Sequence, residues 1–153
     1  MPVPALIPIA REPGYRTDTI GRFAEGQFYA VVHGARRNDD DELDLRRERV
    51  RWYAYLHRFD HAGNHVDSKI ALIGIGPYLR GELRRRAEER LRELLDELAD
   101  PDYGDIAIRP FRVVHDGVTF GLIDESEAEW GDWVELYPDR LVFTDPWDGT
   151  YNT

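Results

Sequence analysis

The chain has 153 residues, a formal net charge of −10, 42% hydrophobic and 12% aromatic residues, and no cysteine. That composition predicts one globular domain, 1–153, large enough to bury its own core. It excludes a disulfide framework, a cysteine-ligated zinc site and a thiol nucleophile, and its acidity argues against nucleic acid and anionic membrane as partners, since both require an exposed basic face.

The N-terminal residues MPVPALIPIA are broken by Pro2, Pro4 and Pro8 and carry no basic n-region, so they do not read as a signal peptide. Residues 17–24 and 27–33 read as a hairpin around Glu25 and Gly26. Phe28, Ala30 and Val32 alternate there with Tyr29, Val31 and His33, the period of a strand. Residues 35–49 are so charged that they read as an exposed, mobile loop, with Leu43 and Leu45 as its apolar residues. Residues 50–60 form a strand rich in aromatics (Trp52, Tyr53, Tyr55, Phe59). Residues 61–64, HAGN, turn the chain, and residues 65–73 return as the partner strand.

Residues 78–99 carry Leu79, Leu83, Ala87, Leu91, Leu94, Leu95 and Leu98 at three- and four-residue spacing. That spacing predicts one long amphipathic helix, started by Pro77 and ended at Asp100 and Pro101. Arg84/Glu88, Arg85/Glu89 and Glu88/Arg92 stand four apart on its solvent face. Asp116-Gly117 then joins strands 105–114 and 118–123, with Pro110 marking an edge or a bulge. Pro138-Asp139 joins strands 133–137 and 141–144 through a type I turn. The predicted fold is α+β: a mainly antiparallel sheet of about eight strands in hairpins, covered on one face by the single helix.

The acidity is local. Residues 101–153 hold 12 acids and three arginines, whereas residues 1–100 hold 18 acids and 17 bases. Much of it lies in residues 124–132, DESEAEWGD. An acidic loop of this kind suits a basic protein partner, and Asp124, Glu125, Glu127, Glu129 and Asp132 surround Trp130 there. Two readings of Trp130 stand: an interface anchor, or a large aromatic folded back into the core, the second favoured by how large aromatics bury. In the tail, Asp145, Trp147, Asp148 and Tyr151 form the alternative site, a small-ligand or metal-dependent enzyme pair beside aromatics. A turn capped by aspartate and closed by Trp147 explains the same residues.

His57, His61 and His65 are four apart but fall on strand, turn and strand, and read as ordinary surface and turn histidines. Neither acidic run, NDDDELD at 38–44 or DESEAEWGD at 124–132, fits a calcium loop register. No nucleophile elbow, P-loop, dinucleotide fingerprint or helix-turn-helix is present, so no metal, cofactor or catalytic residue is assigned. The 19 arginines against the single Lys69 read as composition.

Four stretches, REPGYRTDTIGRFAEGQFYAVVHGA, WYAYLHRFDHAGNHVDS, DIAIRPFRV and ELYPDRLVFTDPWDGTYNT, give the chain a resemblance to short bacterial proteins known as formate hydrogenlyase regulatory protein. The resemblance spans nearly the whole chain. It implies regulation of the formate hydrogenlyase system by contact with a transcriptional activator, and it carries no catalytic residues with it. The reading is a non-enzymatic, cytoplasmic interaction protein. An immunity protein against a basic toxin is a variant of it, and a homodimer through the aromatic strand 52–59 is a further expectation.

Overall fold

The computed structural model describes residues 2–38 and 50–153. Eleven strands and one helix follow in chain order: β1 (Ile7–Ile9), β2 (Ile20–Phe23), β3 (Gly26–Ala35), β4 (Arg51–Phe59), β5 (His65–Ile75), α1 (Gly81–Asp96), β6 (Asp102–Tyr103), β7 (Ile106–Ile108), β8 (Phe111–His115), β9 (Val118–Asp124), β10 (Trp133–Tyr137) and β11 (Leu141–Thr144). They form an antiparallel five-stranded sheet, order β5-β4-β3-β2-β6, a four-stranded sheet, order β11-β10-β9-β8, and the pair β1-β7. The fold is α+β and antiparallel, as the sequence predicts, but the strands divide among three sheets instead of one of about eight.

Three-residue strands explain most of the difference. β1 is only Ile-Pro-Ile, too short for a period to show, and it pairs with β7 through Ile7↔Ile108 and Ile9↔Ile106. The strand predicted over 105–114 breaks at Pro110, which cannot donate to a ladder. Its first half joins β1 and its second half joins β9. Of the charged loop predicted at 35–49, Ala35 is the last residue of β3, and residues 39–49 lie outside the described residues.

The central strands are covered on both faces. Odd-numbered Tyr29, Val31, Tyr53, Tyr55 and Phe59 face Phe120, Leu122, Leu136 and Phe143 of the four-stranded sheet. Even-numbered Phe28, Ala30, Ala54 and Leu56 face Leu94 and Leu98 of the helical segment. The result is three layers, helix on sheet on sheet, where one helix on one face was expected. It also overturns the dimer face proposed at 52–59, because Tyr53, Ala54, Tyr55, Leu56 and Phe59 are interior.

The helix holds its predicted stripe: Ala87 and Leu94 are buried and Leu83, Leu91 and Leu95 half-buried. It starts later than position 78, with Arg80 in an extended N-cap and Gly81 at φ 60° as its first residue. Arg84–Glu88 (3.0 Å) and Arg85–Glu89 form on the solvent face. Such solvent-exposed pairs contribute little to stability, so the apolar stripe is what holds the helix in place.

Two buried polar contacts tie the layers together. The Gln27 amide both donates to the Ala107 carbonyl (2.9 Å) and accepts from the Ala107 N–H (2.8 Å), so a side chain of β3 takes the place of a strand neighbour for β7. Asp139, buried in the β10–β11 turn, accepts from the hydroxyls of Tyr29 (2.6 Å) and Tyr55. Burial first, and then the Asp139 charge, push both phenols well above their ordinary pKa, so both remain donors. The turn is not the predicted type I: the Tyr137–Pro138 peptide is cis and Arg140 sits at φ 61°.

Truncating Asp139 strands two buried hydroxyls, each costing about 1–3 kcal/mol when unsatisfied. Asp139→Ala is therefore expected to lower urea-unfolding stability by about 2–5 kcal/mol, more than Tyr29→Phe or Tyr55→Phe alone. An Asp139→Ala midpoint within error of the wild type would refute the tether.

Candidate functional site

The four-stranded sheet has an inner face in the core and an outer face that carries the functional candidates. β9 sends Val118, Phe120 and Leu122 inward, so Thr119 and Ile123 fall on the outer side. The same alternation puts Arg112 on the outer side of β8 and Tyr137 on that of β10. Arg112 and Tyr137 both register on Gly121, which lies between them with no side chain. Gly121 has φ 141°, and a Cβ there would come within 2.2 Å of the Phe111 carbonyl oxygen, so the strand admits only glycine.

The end of β3 and the residues after it, 33–38, run over this outer face. Asn38 anchors them by its N–H to the Gly117 carbonyl (2.6 Å) and by its side-chain amide to Thr119 Oγ1 (2.8 Å). Between the two lies a cleft of about 620 Å³ whose wall includes His33, Arg36, Arg37, Arg112, Tyr137 and Arg140. Among the described residues, Glu125 is the one acid on that wall. It accepts from the Tyr137 hydroxyl (2.9 Å), and burial followed by that bond pushes the phenol up to about 12. Arg140 pairs with the buried carboxylate of Glu135 and lies over the Tyr137 ring (5.1 Å). Composition made the arginines look unremarkable, and positions 36, 112 and 140 are too far apart in sequence for any local pattern to join them.

The acidic loop 124–132 extends the β9–β10 hairpin. Asp124 accepts from the Ser126 N–H (3.0 Å), Glu127 and Gly131 form a bridge, and the Trp130 N–H bonds the Glu127 carbonyl (3.2 Å). These bonds close the tip and leave Trp130 outside, 76% exposed, which overturns its reading as a core residue. Asp124, Glu127, Glu129 and Asp132 are exposed with it. Glu125 separates from that group, since it turns back into the cleft. No lysine or arginine occurs between Arg112 and Arg140 to offset the charge locally.

The tail residues have structural partners. Trp147 is 9% exposed, with its backbone N–H on the Thr144 carbonyl (2.9 Å), while its indole N–H has no hydrogen-bond partner among the described residues. Asp148 accepts from the Thr150 hydroxyl (2.6 Å) and N–H (3.1 Å), bonds that hold its carboxyl below the usual range. The Tyr151 ring packs on Phe143, and its hydroxyl meets Thr17 Oγ1 (3.3 Å). Gly149 accepts from the Ala10 N–H (2.9 Å). None of Asp145, Trp147, Asp148 and Tyr151 lines the cleft.

The three histidines at four-residue spacing do not converge. His61 is exposed, and its Nε2 meets the Ala24 carbonyl at 3.3 Å. His65 stacks on Phe111 (4.6 Å). His57 is fully buried, against its reading as a surface residue, because an odd position on β4 points between the sheets. Its Nδ1 meets Ser68 Oγ (2.6 Å), and its Nε2 has no hydrogen-bond partner among the described residues. The described residues hold no group of three or more histidines and acids placed for a metal, and no helix among them is long and apolar enough to cross a membrane. No protein-family model, curated protein or solved structure matches this chain.

Burial, then the charge of His65, pulls His57 down to about 3 from an ordinary 6.5. The folded state thus keeps it neutral while the unfolded chain takes up a proton. Its contribution is fully present above pH 6.5 and is lost as the pH falls toward 3, with a slope of up to about 1.4 kcal/mol per pH unit. His57→Leu is expected to flatten the stability–pH curve between pH 5 and 6.5 by about one proton. A slope identical to that of the wild type in equilibrium unfolding would contradict this.

Proposed function

We propose that the chain is a non-enzymatic interaction protein that docks a basic protein through the tip of the 124–132 loop. The observation that carries the reading is Trp130, 76% exposed in a hydrogen-bonded hairpin extension and flanked in sequence by the exposed acids Asp124, Glu127, Glu129 and Asp132. An exposed tryptophan leaves a large apolar surface in water, and burial in a partner's pocket recovers it. Tryptophan is among the residues most enriched at interface hot spots. The surrounding acids supply steering toward a positive surface rather than bulk affinity.

The resemblance to formate hydrogenlyase regulatory proteins supplies one partner class, a transcriptional activator with a basic surface. A basic toxin neutralised by this loop is the second. Both require the same surface, and the tail residues 145–151 support the enzyme alternative less well, being committed to Thr17, Thr144, Phe143 and Ala10.

Binding of the purified activator or toxin, measured by surface plasmon resonance, separates the two. With the true partner, Trp130→Ala is expected to weaken binding by about 30-fold or more, the scale of a hot-spot truncation. Neutralising Asp124, Glu127, Glu129 and Asp132 together is expected to slow association and remove its salt dependence. Unchanged affinity in both variants would rule out the loop as the docking surface.

A further inference from the structure

We propose that the chain forms a symmetric dimer by pairing β5 with β5 of a second copy, which joins the two five-stranded sheets into one continuous sheet. The inference is independent of the docking surface at Trp130. It starts from an open edge. An edge strand presents a row of N–H and C=O groups without a strand neighbour, and folds protect such edges by keeping them short or by covering them. β6, at the other edge of this sheet, has two residues, and β8, at the edge of the four-stranded sheet, has five. β11 is covered by the tail, where Asn152 exchanges two backbone bonds with Val142. β5 has 11 residues, pairs with β4 alone and makes no other backbone–backbone hydrogen bond among the described residues.

Charge complementarity identifies the occupant of this edge as a second copy. Arg86, Arg90, Glu93 and Glu97 recur at three- and four-residue spacing and form an exposed stripe along the flank of α1 beside β5. Arg86 donates to the Ile73 carbonyl (3.0 Å), and Glu97 accepts from Lys69. Glu89, in the same groove, is bonded to Arg85. Two cations precede two anions along the stripe, so it complements itself when a two-fold axis reverses its direction. Arg86 then falls opposite Glu97, and Arg90 opposite Glu93. Within one copy Arg90 already holds Glu93 (2.8 Å), and across the axis the two pairs close into a cluster of alternating charge.

The strand specifies the same axis. Arg86 stands at Ile73 and Glu97 at Lys69, so setting Arg86 against Glu97 also sets Ile73 opposite Lys69 and centres the axis on Ala71. Leu72, 40% exposed in one copy, then lies opposite Ile70 of the second in an antiparallel ladder. An axis centred on Lys69 places two ammonium groups together instead. The charges on the strand do not block its edge: Asp67 is drawn back to Arg58 on β4 (2.6 Å) and Lys69 to Glu97. α1 lies over β4, between β3 and β5, so the two helices of the dimer stand about 14 Å apart, three strand spacings. Arginine and glutamate side chains span that gap, which is too wide for apolar helix packing.

Sedimentation equilibrium of the full chain tests the dimer. The expected mass is twice the 17.8 kDa of one copy, falling toward that value on dilution. Amide hydrogen exchange over residues 66–73 is expected to slow as the protein is concentrated. Arg90→Glu and Glu93→Arg, both at exposed helix positions, are each expected to weaken the dimer by about 10-fold, since each turns two exposed contacts across the axis from attraction to repulsion. Mixed in equal amounts, the two variants are expected to pair with each other as tightly as the wild type pairs with itself, because every contact across the axis again joins a cation to an anion. Arg84→Glu, on the solvent face of the helix, is expected to leave the dimer unchanged. A single-copy mass at every concentration overturns the proposal and leaves the edge to a foreign strand. A dimer whose β5 amides exchange as fast as those of the single copy, equal weakening by Arg84→Glu and Arg90→Glu, or a mixture no tighter than either variant alone overturns it as well.

Discussion

Asp139 is where the two main sheets are locked to each other. It sits in the tight turn between β10 and β11, and its carboxyl receives the hydroxyls of Tyr29 on β3 and Tyr55 on β4. Hydrophobic contact between sheets is non-directional and would tolerate sliding. A buried carboxyl with two phenol donors does not, because a shift leaves three polar groups without partners in a low-dielectric interior. The position of the four-stranded sheet, and with it the cleft and the acidic loop on its outer side, follows from this contact. The same turn carries Arg140 and Pro138 directly onto the cleft rim.

The outer side of that sheet presents opposite charges a short distance apart. Arg112 and the arginines that follow β3 line the cleft, while the extension of β9 and β10 makes the loop tip acidic. Glu125 and Tyr137 mark the boundary, bonded to each other and so facing the cleft and not the tip. The arrangement sets the exposed acidic tip apart from the arginine-lined cleft on one sheet, with the β9–β10 hairpin common to both.

Residues 10–17 and 149–152 stabilise each other. Thr17 is buried, donates to the Ala10 carbonyl (2.8 Å), accepts from the Glu12 N–H (2.8 Å) and meets Tyr151. Gly149 lies so close to Ala10 that a Cβ would be 2.9 Å from its nitrogen. Asn152 bridges to Val142 and ends the tail as a short addition to β11. The aromatic, aspartate-rich tail is thereby explained as packing, and Asp148 as the cap of its own turn.

The sequence by itself determined the local elements. The leucine stripe located α1, Asp116-Gly117 located the β8–β9 hairpin, and the alternation through residues 27–33 and the aromatic run at 50–60 located β3 and β4. It also offered a turn closed by Trp147 as one of two readings of the tail, and Trp147 is buried there. These features are set by periods of two and 3.6 and by turn chemistry, which act over a few residues. Tertiary structure alone decided the rest. It buried both faces of β3 and β4, which alternation cannot distinguish from one buried face when both sets of side chains are apolar. It split the strand at Pro110, gave its halves to different sheets and turned Trp130 outward. Arg36, Arg37, Arg112 and Arg140 line one cleft because the chain after β3 is carried onto the β8–β9 turn, beside β8 and the β10–β11 turn. No local rule links residues separated by scores of positions, so a cleft built from them becomes visible only when the sheets are in place.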